Sequence, residues 1–406
     1  MKILTKMHFL GTYISHLEKV RVGIVGAGFA ARFHLDSYKR VYGVPVEVLG
    51  LTSPSRSRRE KLATEYRLKE FESLRAMTKE VDLVDICAPG FAHEKVALEA
   101  LDAGCHVAIE KPFTGYYGDG SDVFHGDRSP KKKMLEEAVA SSDRIVSAGR
   151  KANKKIMYAE NWVYAPSVQK EADILRATSG QILWMIGDES HSGSHSESYG
   201  DWSKSGGGSL VGKACHPLGA MLYFKRQEGL WRNGEPIVAR SVSANVHEIT
   251  KLSSFRNAGY LRTDYKDVED YAQLHVTFSD GTVADVFASE LVLGGVNSWL
   301  EVFANNHRTK CQVNPVDALR TFNPKEELLR DVYVTEKIGT KQGWNNPTPD
   351  DNWINGYYQE MQNFAESVYF DRVPLSDGEL GRECVKSMYA AYVSAESLGQ
   401  QIELPR

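Results

Sequence analysis

Three segments of this 406-residue chain hold residue types at spacings that chemistry could use. The first is Gly26-Ala27-Gly28-Phe29-Ala30-Ala31, set directly after the apolar run Val20–Val25. Gly26 permits a tight turn, Gly28 lets backbone N–H groups approach a pyrophosphate, and Ala31 lets a following helix pack closely on the strand. The positive end of that helix then faces the phosphates. Strand, turn, helix and second strand follow in order within about 30 residues, the context in which this motif reads as a dinucleotide site. After the second apolar run the chain reads Thr52-Ser53-Pro54-Ser55-Arg56-Ser57-Arg58-Arg59, with no carboxylate to hold a ribose 2′-hydroxyl. Ser53, Arg56 and Arg58 suit a 2′-phosphate, but the same arginines fit a solvated helix start, so NAD and NADP both stay open as cofactors. The second segment, Glu110-Lys111-Pro112, closes the apolar run HVAI at the carboxyl end of a predicted parallel strand. Open α/β sheets bind their ligands at that edge. The third, Asp188 to Asp201, places His191 and His195 four apart among hydroxyls. On a helix that spacing would suit a metal, but the Gly/Ser content predicts a loop, so no metal is assigned. Such a loop either hydrogen-bonds a polyol or is a solvated surface.

The elements that must position these groups follow from periodicity. Residues 20–164 alternate short apolar runs with amphipathic stretches, which predicts βαβ units on a parallel sheet covered on both faces. In residues 165–406 the pattern becomes strict alternation, as in Val242/Ala244/Val246 and Ala272/Leu274/Val276/Phe278. Asp280-Gly281 between two such runs predicts a type I′ hairpin, and this half is predicted to be largely antiparallel with one face buried. Ile354, Tyr357, Met361, Phe364 and Val368 lie at helical spacing, and a last helix is predicted from about Glu383 to Ser397. These helices should pack across the sheet or back onto the first domain.

Composition narrows the class. With 42% hydrophobic and 25% charged residues the chain is ordinary globular material, long enough for two domains. A net charge of −4 argues against nucleic acid, and the absence of an 18-residue apolar stretch argues against a membrane span. Cys87, Cys105, Cys215, Cys311 and Cys384 are scattered without a CxxC pair, which predicts reduced thiols in a cytoplasmic protein. Residues 1–19 lack a continuous apolar core and a cleavage site, and are read as an N-terminal extension.

Four blocks together resemble one family: the GAGFAA loop, DLVDICAPGFAHEKVALEALDAGCHVAIEKP, NWVYAP, and GGGSLVGKACHPLG. They are similar to the Gfo/Idh/MocA oxidoreductases, and the resemblance runs from about Val20 to Leu404, through PLSDGEL and AAYVSAESLG. It implies an α/β Rossmann domain with a doubly wound parallel sheet, then an α+β domain built on a large, mainly antiparallel open sheet. It further implies an NAD(P)-dependent enzyme moving a hydride between nicotinamide and a secondary hydroxyl of a sugar, cyclitol or glycoside. Bacterial members that oxidise C3 of glycosides look similar in AENWVYAP and SHSGSHS.

Such chemistry needs a base for the hydroxyl proton and a cation beside the developing alkoxide. By resemblance the cation is Lys111, after which a cis peptide to Pro112 is expected, and the acid/base is His216 at the end of Gly206–His216. Ala88, Pro89, His93 and Glu110, with Phe29, Ala30 and Lys111, are the remaining expected cofactor contacts. Tyr164, His191, His195 and Lys213 join Lys111 and His216 as expected substrate contacts. One departure stands out: the family's aspartate, four residues before the histidine, is Gly212 here. Asp188, Glu189 or Glu160 could substitute, or His216 could work unaided. Residues 114–132 look like an insertion whose Tyr116, Tyr117, Phe124 and His125 would wall the substrate pocket or form an oligomer contact. The resemblance also implies a homo-oligomer joined through the exposed face of the second sheet. Two other readings belong beside the dehydrogenase: an NAD-dependent glycosidase working by transient oxidation and elimination, and a non-catalytic dinucleotide-dependent sugar sensor. Gly212 favours the sensor; Lys111 and His216 oppose it.

Overall fold

The computed structural model describes residues 17–121, 124–196 and 198–405. Most of the N-terminal extension, two residues of the 114–132 segment and Glu197 therefore lie outside the described residues. The chain begins as β1 (Val20–Val25), α1 (Phe29–Tyr38), β2 (Val46–Thr52), α2 (Arg56–Tyr66), β3 (Lys69–Glu70), α3 (Leu74–Met77), β4 (Leu83–Ile86), α4 (His93–Asp102), β5 (His106–Glu110), α5 (Lys131–Ala152) and β6 (Ile156–Ala159). Its six strands form one parallel sheet in the order β3-β2-β1-β4-β5-β6. The central strands are buried at nearly every position, as an apolar run with helices on both faces must be. Strand order reverses between β1 and β4, which opens a crevice at their carboxyl ends.

The second half comprises α6 (Pro166–Thr178), β7 (Ile182–Ser190), α7 (Trp202–Ser205), α8 (Ser209–Gly212), α9 (Cys215–Asn233), β8 (Ala239–His247), β9 (Tyr271–Phe278), β10 (Val283–Ser289), β11 (Asn297–Ala304), β12 (Arg308–Asn314), β13 (Thr321–Asn323), β14 (Gly343–Asn345), α10 (Asp351–Ile354), α11 (Tyr357–Tyr369), α12 (Gly378–Glu396) and β15 (Ile402–Glu403). Seven of these strands make a sheet in the order β12-β11-β7-β10-β9-β8-β15. It is antiparallel except between β7 and β10, whose connection runs through α9, β8 and β9. Ala272, Leu274, Val276 and Phe278 face the core in alternation with more open residues, as the period of two requires.

Two local expectations are corrected. The β9–β10 hairpin has a positive φ at Gly281 (+85°) only, and Asp280 is held by Thr282, whose amide donates to its carboxylate. A type I′ turn would need a positive φ at both residues; the loop spans 279–282 instead, and one left-handed glycine closes it. The apolar series from Ile354 breaks at Gly356 (φ +90°), where a Cβ would stand 2.4 Å from the Asn161 carbonyl oxygen.

The last helix begins earlier than its apolar pattern, at Gly378, because the Asp377 side chain caps it by accepting from the Leu380 amide (3.0 Å). Buried along most of its length, α12 packs on α5 of the first sheet's layer and on β8 of the second. The Tyr158 amide of β6 donates to Ser376 (3.0 Å), tying the approach to α12 to the parallel sheet. All five cysteines are unpaired and buried. Among the described residues no helix is long and apolar enough to cross a membrane.

Candidate active site

The Gly-rich loop sits at the switch point. Gly26 has φ +121°, and a Cβ there would lie 2.5 Å from the Cys87 carbonyl oxygen, so only glycine fits between β1 and β4. At Gly28 a Cβ would meet nothing within 4 Å. Gly28 is also the N-cap of α1, and no side chain caps that helix. The N–H groups of the first turn thus have no side-chain cap, and the space beside Gly28 is open, which is what a pyrophosphate requires. Ala31 is fully buried against the sheet, Ala30 is half-buried and Phe29 is exposed, with Ala88 and Pro89 across the crevice after β4. These residues fit a dinucleotide.

His93 stands apart from that group. Its ring is fully buried between the carbonyl oxygens of Pro112 (2.9 Å, Nδ1) and Ala88 (2.8 Å, Nε2), so it ties the loop after β4 to the loop after β5. Burial pushes its pKa down despite the two acceptors. At the end of β2, Ser53 is half-buried, while exposed Arg56 pairs with Glu60 (2.6 Å) and Arg58 points to solvent. The arginine that reaches the loop is Arg59, which donates to the Ser53 carbonyl (3.0 Å) and pairs with Glu70 at the end of β3 (3.0 Å).

At the carboxyl end of β5 the Lys111–Pro112 peptide is cis. The Lys111 ammonium reaches across to the second half, donating to the Gly212 carbonyl (2.9 Å) and the Tyr199 hydroxyl (3.1 Å). Burial works against its charge, but Tyr199, Cys215 and Glu110 around it hold its pKa above the ordinary lysine value. Four residues beyond Gly212, His216 occupies the first turn of α9, buried and stacked on Trp162 (6.0 Å between centroids). Its Nδ1 is 2.7 Å from Oε1 of Glu160, a carboxylate with no exposed surface. With Nδ1–H donating to that carboxylate, Nε2 is left as the basic nitrogen.

Glu160 is therefore the carboxylate that meets the histidine. Asp188 and Glu189 are neighbours on β7 and point to opposite faces. Asp188 is bound by Asn297 (2.6 Å) and Ser190 (2.5 Å). Glu189 accepts from Ser298, borders His216, and has its pKa pushed up by burial. Tyr199 explains Gly212: a Cβ at 212 would stand 2.5 Å from the Tyr199 ring. Gly219, one turn after His216, likewise leaves room for Glu160, whose Cγ would lie 2.7 Å from a Cβ there.

Lys213 is buried and paired with Glu290, and it donates to the Ser194 hydroxyl (3.3 Å). Burial lowers its pKa, against the pull of Glu290. His191 lies beside the same carboxylate (3.6 Å), its pKa pushed down by burial and by Lys213. His195 is exposed in an open cavity of about 380 Å³ with Ser192, Ser194, Ser196, Arg262 and Asp264. Tyr164 is not brought to this group. Its hydroxyl donates to Asn363 (3.2 Å) and accepts from the Ser376 amide (3.0 Å), fixing α11 and the approach to α12.

Part of the 114–132 segment packs inside the chain, while residues 119–121, 127, 128, 130 and 132 are exposed. The Tyr116 amide donates to the Tyr389 hydroxyl (2.7 Å), and Trp202 donates to the Tyr116 carbonyl (3.0 Å). Phe124 sits edge-on to Tyr116, Tyr117 lies against Gly206 and Phe91, and His125 is half-buried. Tyr116 is buried, whereas Tyr117 is half-buried with its hydroxyl sealed.

Sequence reasoning missed Tyr199, Glu290, and the buried His34–Asp85 pair that forms a relay with the expected Glu110 behind Lys111. In the relay, His34 of α1 sits between Asp85 (2.8 Å, Nδ1) and Glu110 (3.0 Å, Nε2), and Glu110 accepts from the Lys111 amide (2.8 Å). Burial alone would discharge His34, but Asp85 foremost holds its pKa well above the usual histidine value. His34 follows the glycine loop at helical spacing on the buried face, which was the available signal; Tyr199 and Glu290 carried none.

Comparison with known proteins supports the Rossmann reading of the first half. Residues 20–135 match the Gfo/Idh/MocA oxidoreductase family, NAD-binding Rossmann fold. A UDP-N-acetylglucosamine 3-dehydrogenase of Acidithiobacillus ferrooxidans is 37% identical over 95 residues, which is 23% of this chain and 29% of that protein. The aligned part thus spans under a third of that relative's length. A D-glucoside 3-dehydrogenase of Escherichia coli is 25% identical over 95% of this chain and 97% of its own. Among solved structures, GenD2 from gentamicin A biosynthesis, in complex with NAD, superposes with a TM-score of 0.77 at 19% identity, covering 96% of this chain and 97% of that one. Glycine cradle, strand order and family match converge on one assignment: residues 20–135 are an NAD-binding Rossmann fold of the Gfo/Idh/MocA oxidoreductase family.

Proposed function

We propose that this chain is a dehydrogenase acting on a secondary ring hydroxyl of a sugar, cyclitol or glycoside, with Lys111 and His216 as its catalytic residues. The observation that carries this reading is the Lys111 ammonium held at 2.9 Å on the Gly212 carbonyl, beside the helix whose first turn holds His216 on Glu160. A nicotinamide bound in the crevice supplies the hydride acceptor.

The chain's own residues do the rest. His216 Nε2 removes the hydroxyl proton, and Glu160 keeps the imidazole in the tautomer that can do so and steadies the imidazolium that results. Lys111, oriented by Tyr199 and the Gly212 carbonyl, sets a positive charge beside the developing alkoxide. His34 and Glu110 act through Lys111 and are positioning residues. The named substrates of the two relatives, a UDP-N-acetylhexosamine and a D-glucoside, support a carbohydrate and C3 as the carbon oxidised.

Among cofactors NAD is the better fit. Arg56 and Arg59 are already neutralised by Glu60 and Glu70, which removes two cations from a 2′-phosphate. A homo-oligomer through the uncovered face of the second sheet is part of the same proposal, supported by exposed Leu183 and Trp184 on β7 and by Trp184 stacked on Phe303 of β11 (4.0 Å). Purified protein with NAD+ and a panel of sugars, cyclitols and glycosides should show reduced-nicotinamide absorbance, abolished by Lys111→Ala. Release of free sugar without net NADH would indicate the glycosidase instead. Ligand binding undiminished by Lys111→Ala, without turnover of any panel member, would indicate the sensor.

A further inference from the structure

We infer that Glu269 is a positioning residue for Lys111, holding the turn whose last carbonyl receives the lysine ammonium. The inference rests on the dehydrogenase reading above and adds a residue that acts through the backbone.

The turn is Gly206–Gly212, and little in its own sequence fixes it. Three successive glycines open it, two of them with positive φ (Gly206 +77°, Gly207 +151°), so its backbone starts with the widest conformational freedom. Its order comes from outside. Glu269, buried two residues before β9, accepts from the Leu210 amide at Oε1 (2.9 Å) and from the Gly208 amide at Oε2 (3.2 Å). Its backbone carbonyl accepts from the Ser209 amide (3.1 Å). Three consecutive N–H groups of the turn therefore end on one residue. Only glycine allows so close an approach at 208, where a Cβ would stand 2.0 Å from the Glu269 carbonyl oxygen. From α12, Tyr392 donates to Oε1 (2.8 Å) and Tyr389 donates to the Gly206 carbonyl (2.7 Å). The Gly208 carbonyl in turn accepts from the Gly212 amide (2.8 Å), and the Gly212 carbonyl takes the Lys111 ammonium (2.9 Å). An unbroken series of hydrogen bonds thus joins Glu269 to Lys111. The Ser209 carbonyl accepts from the Lys213 (3.0 Å) and Ala214 (3.1 Å) amides, so the same turn sets the entry to the helix that holds His216.

Charge matters to this hold. Only the ionised carboxylate accepts from all three donors; a protonated oxygen turns an O–H on one of them. If Oε2 takes the proton, the Gly208 amide keeps only the Tyr392 hydroxyl oxygen (3.2 Å) as acceptor. Burial pushes the Glu269 carboxyl up to about 7. The groups around it are otherwise engaged. The turn has no ionisable side chain, and burial pushes Tyr389 and Tyr392 up, so both stay neutral. Asp267 accepts from the Gly126 and Trp202 amides, and Asp270 from those of Ile249 and Thr250. Lys131 of α5, beyond the Trp202 ring (5.3 Å), donates to the carbonyls of Gly126, Asp127 and Ser129.

Glu269→Gln tests this, since the amide matches the acid in size and sets an N–H against Gly208. Two measurements are needed: initial rates with NAD+ and a carbohydrate that wild type oxidises, and hydrogen exchange of residues 206–214 by mass spectrometry, corrected for intrinsic pH dependence. At pH 8 the variant should lose about ten-fold or more in kcat, with KM for NAD+ within about two-fold, because the ammonium is misplaced while the glycine cradle is untouched. The wild-type to variant ratio of kcat should shrink to within about two-fold by pH 6, where protonation makes the wild type resemble the variant. His216 titrates in both proteins and cancels from that ratio. Exchange in the turn should be faster in the variant at pH 8. A ratio near unity at pH 8, a ratio that does not change with pH, or unchanged exchange would overturn the role of Glu269. If Glu269→Gln does not fold, wild type alone decides: corrected exchange of the turn should rise between pH 8 and pH 6, and constant protection would overturn the role. A turn loosened by the substitution, with no nicotinamide reduction for any carbohydrate, would leave the hold on the turn standing and overturn the dehydrogenase reading.

Discussion

An imidazole serves as a base only when its second nitrogen is held by a group that tolerates the charge it acquires. In this chain that group arrives from an unexpected direction. The family's aspartate position is Gly212, and any side chain there would meet the Tyr199 ring at 2.5 Å. Glu160 takes over from the end of β6, in space left by Gly219. The two glycines and the two larger residues form one coordinated exchange. Glu160→Gln should therefore keep the fold and lower kcat by about 10²–10⁴-fold, because the amide can hold the wrong tautomer. A pH–rate profile that loses its acidic limb would accompany the drop, whereas an unchanged kcat would remove Glu160 from the mechanism. Gly212→Asp should displace Tyr199 and lower kcat/KM at least about ten-fold, and adding Tyr199→Ala should return much of that loss. If the double variant is no better than the single one, steric exclusion by Tyr199 is not why position 212 is a glycine. Cofactor choice is testable at the same scale. Glu70→Ala frees Arg59, so the NAD+ to NADP+ ratio of kcat/KM should fall several-fold.

At the scale of elements, α1, β4 and β5 are joined by a buried polar clamp as well as by packing. Asp85 lies within β4, His34 faces inward from α1, and Glu110 ends β5 and receives the Lys111 amide. One imidazolium between two carboxylates thus couples the nucleotide helix to the lysine's backbone. Because the folded pKa of His34 is raised above its unfolded value, its contribution to stability is fully present below about pH 6.5 and is lost as pH rises through the folded value. Thermal melts of wild type should show that alkaline decline, and His34→Gln should remove this component. It should also destabilise the protein by about 3–5 kcal/mol, since two buried carboxylates lose their cation. A variant with wild-type Tm across the range would show that the clamp is dispensable. The strands and helices of this half were legible because buried parallel strands have continuous apolar runs. The clamp was not, because its three members lie far apart in sequence and each reads as an isolated polar residue inside an apolar element. The hairpin at Asp280-Gly281 was correctly located and wrongly typed: the dipeptide marks a reversal, but loop length is decided by which strand residues pair, here Thr277 with Val283.

For the whole molecule, the decisive contact is the one between the two halves. The α12 helix is buried between α5 and β8, and the Lys111 side chain crosses to Gly212 and Tyr199. The face of the second sheet away from α9 and α12 shows Leu183, Trp184 and Phe303, an apolar patch that a second copy would cover. Trp184→Asp should shift the molecular mass measured by light scattering to a smaller species without loss of fold. A monomeric wild type would refute assembly through that face.

The amino-acid order alone settled the fold class and the glycine cradle, because each is written in contiguous residues whose spacing has a direct physical meaning, whereas Lys111 and His216 were picked out by family resemblance and their roles are proposals. Only the tertiary structure selected Glu160 over Asp188 and Glu189, moved Tyr164 out of the site, and set Tyr199, His34 and Glu290 beside the lysines. Those choices depend on which side chains share a volume once the two sheets close on each other, and periodicity along a chain has no term for that.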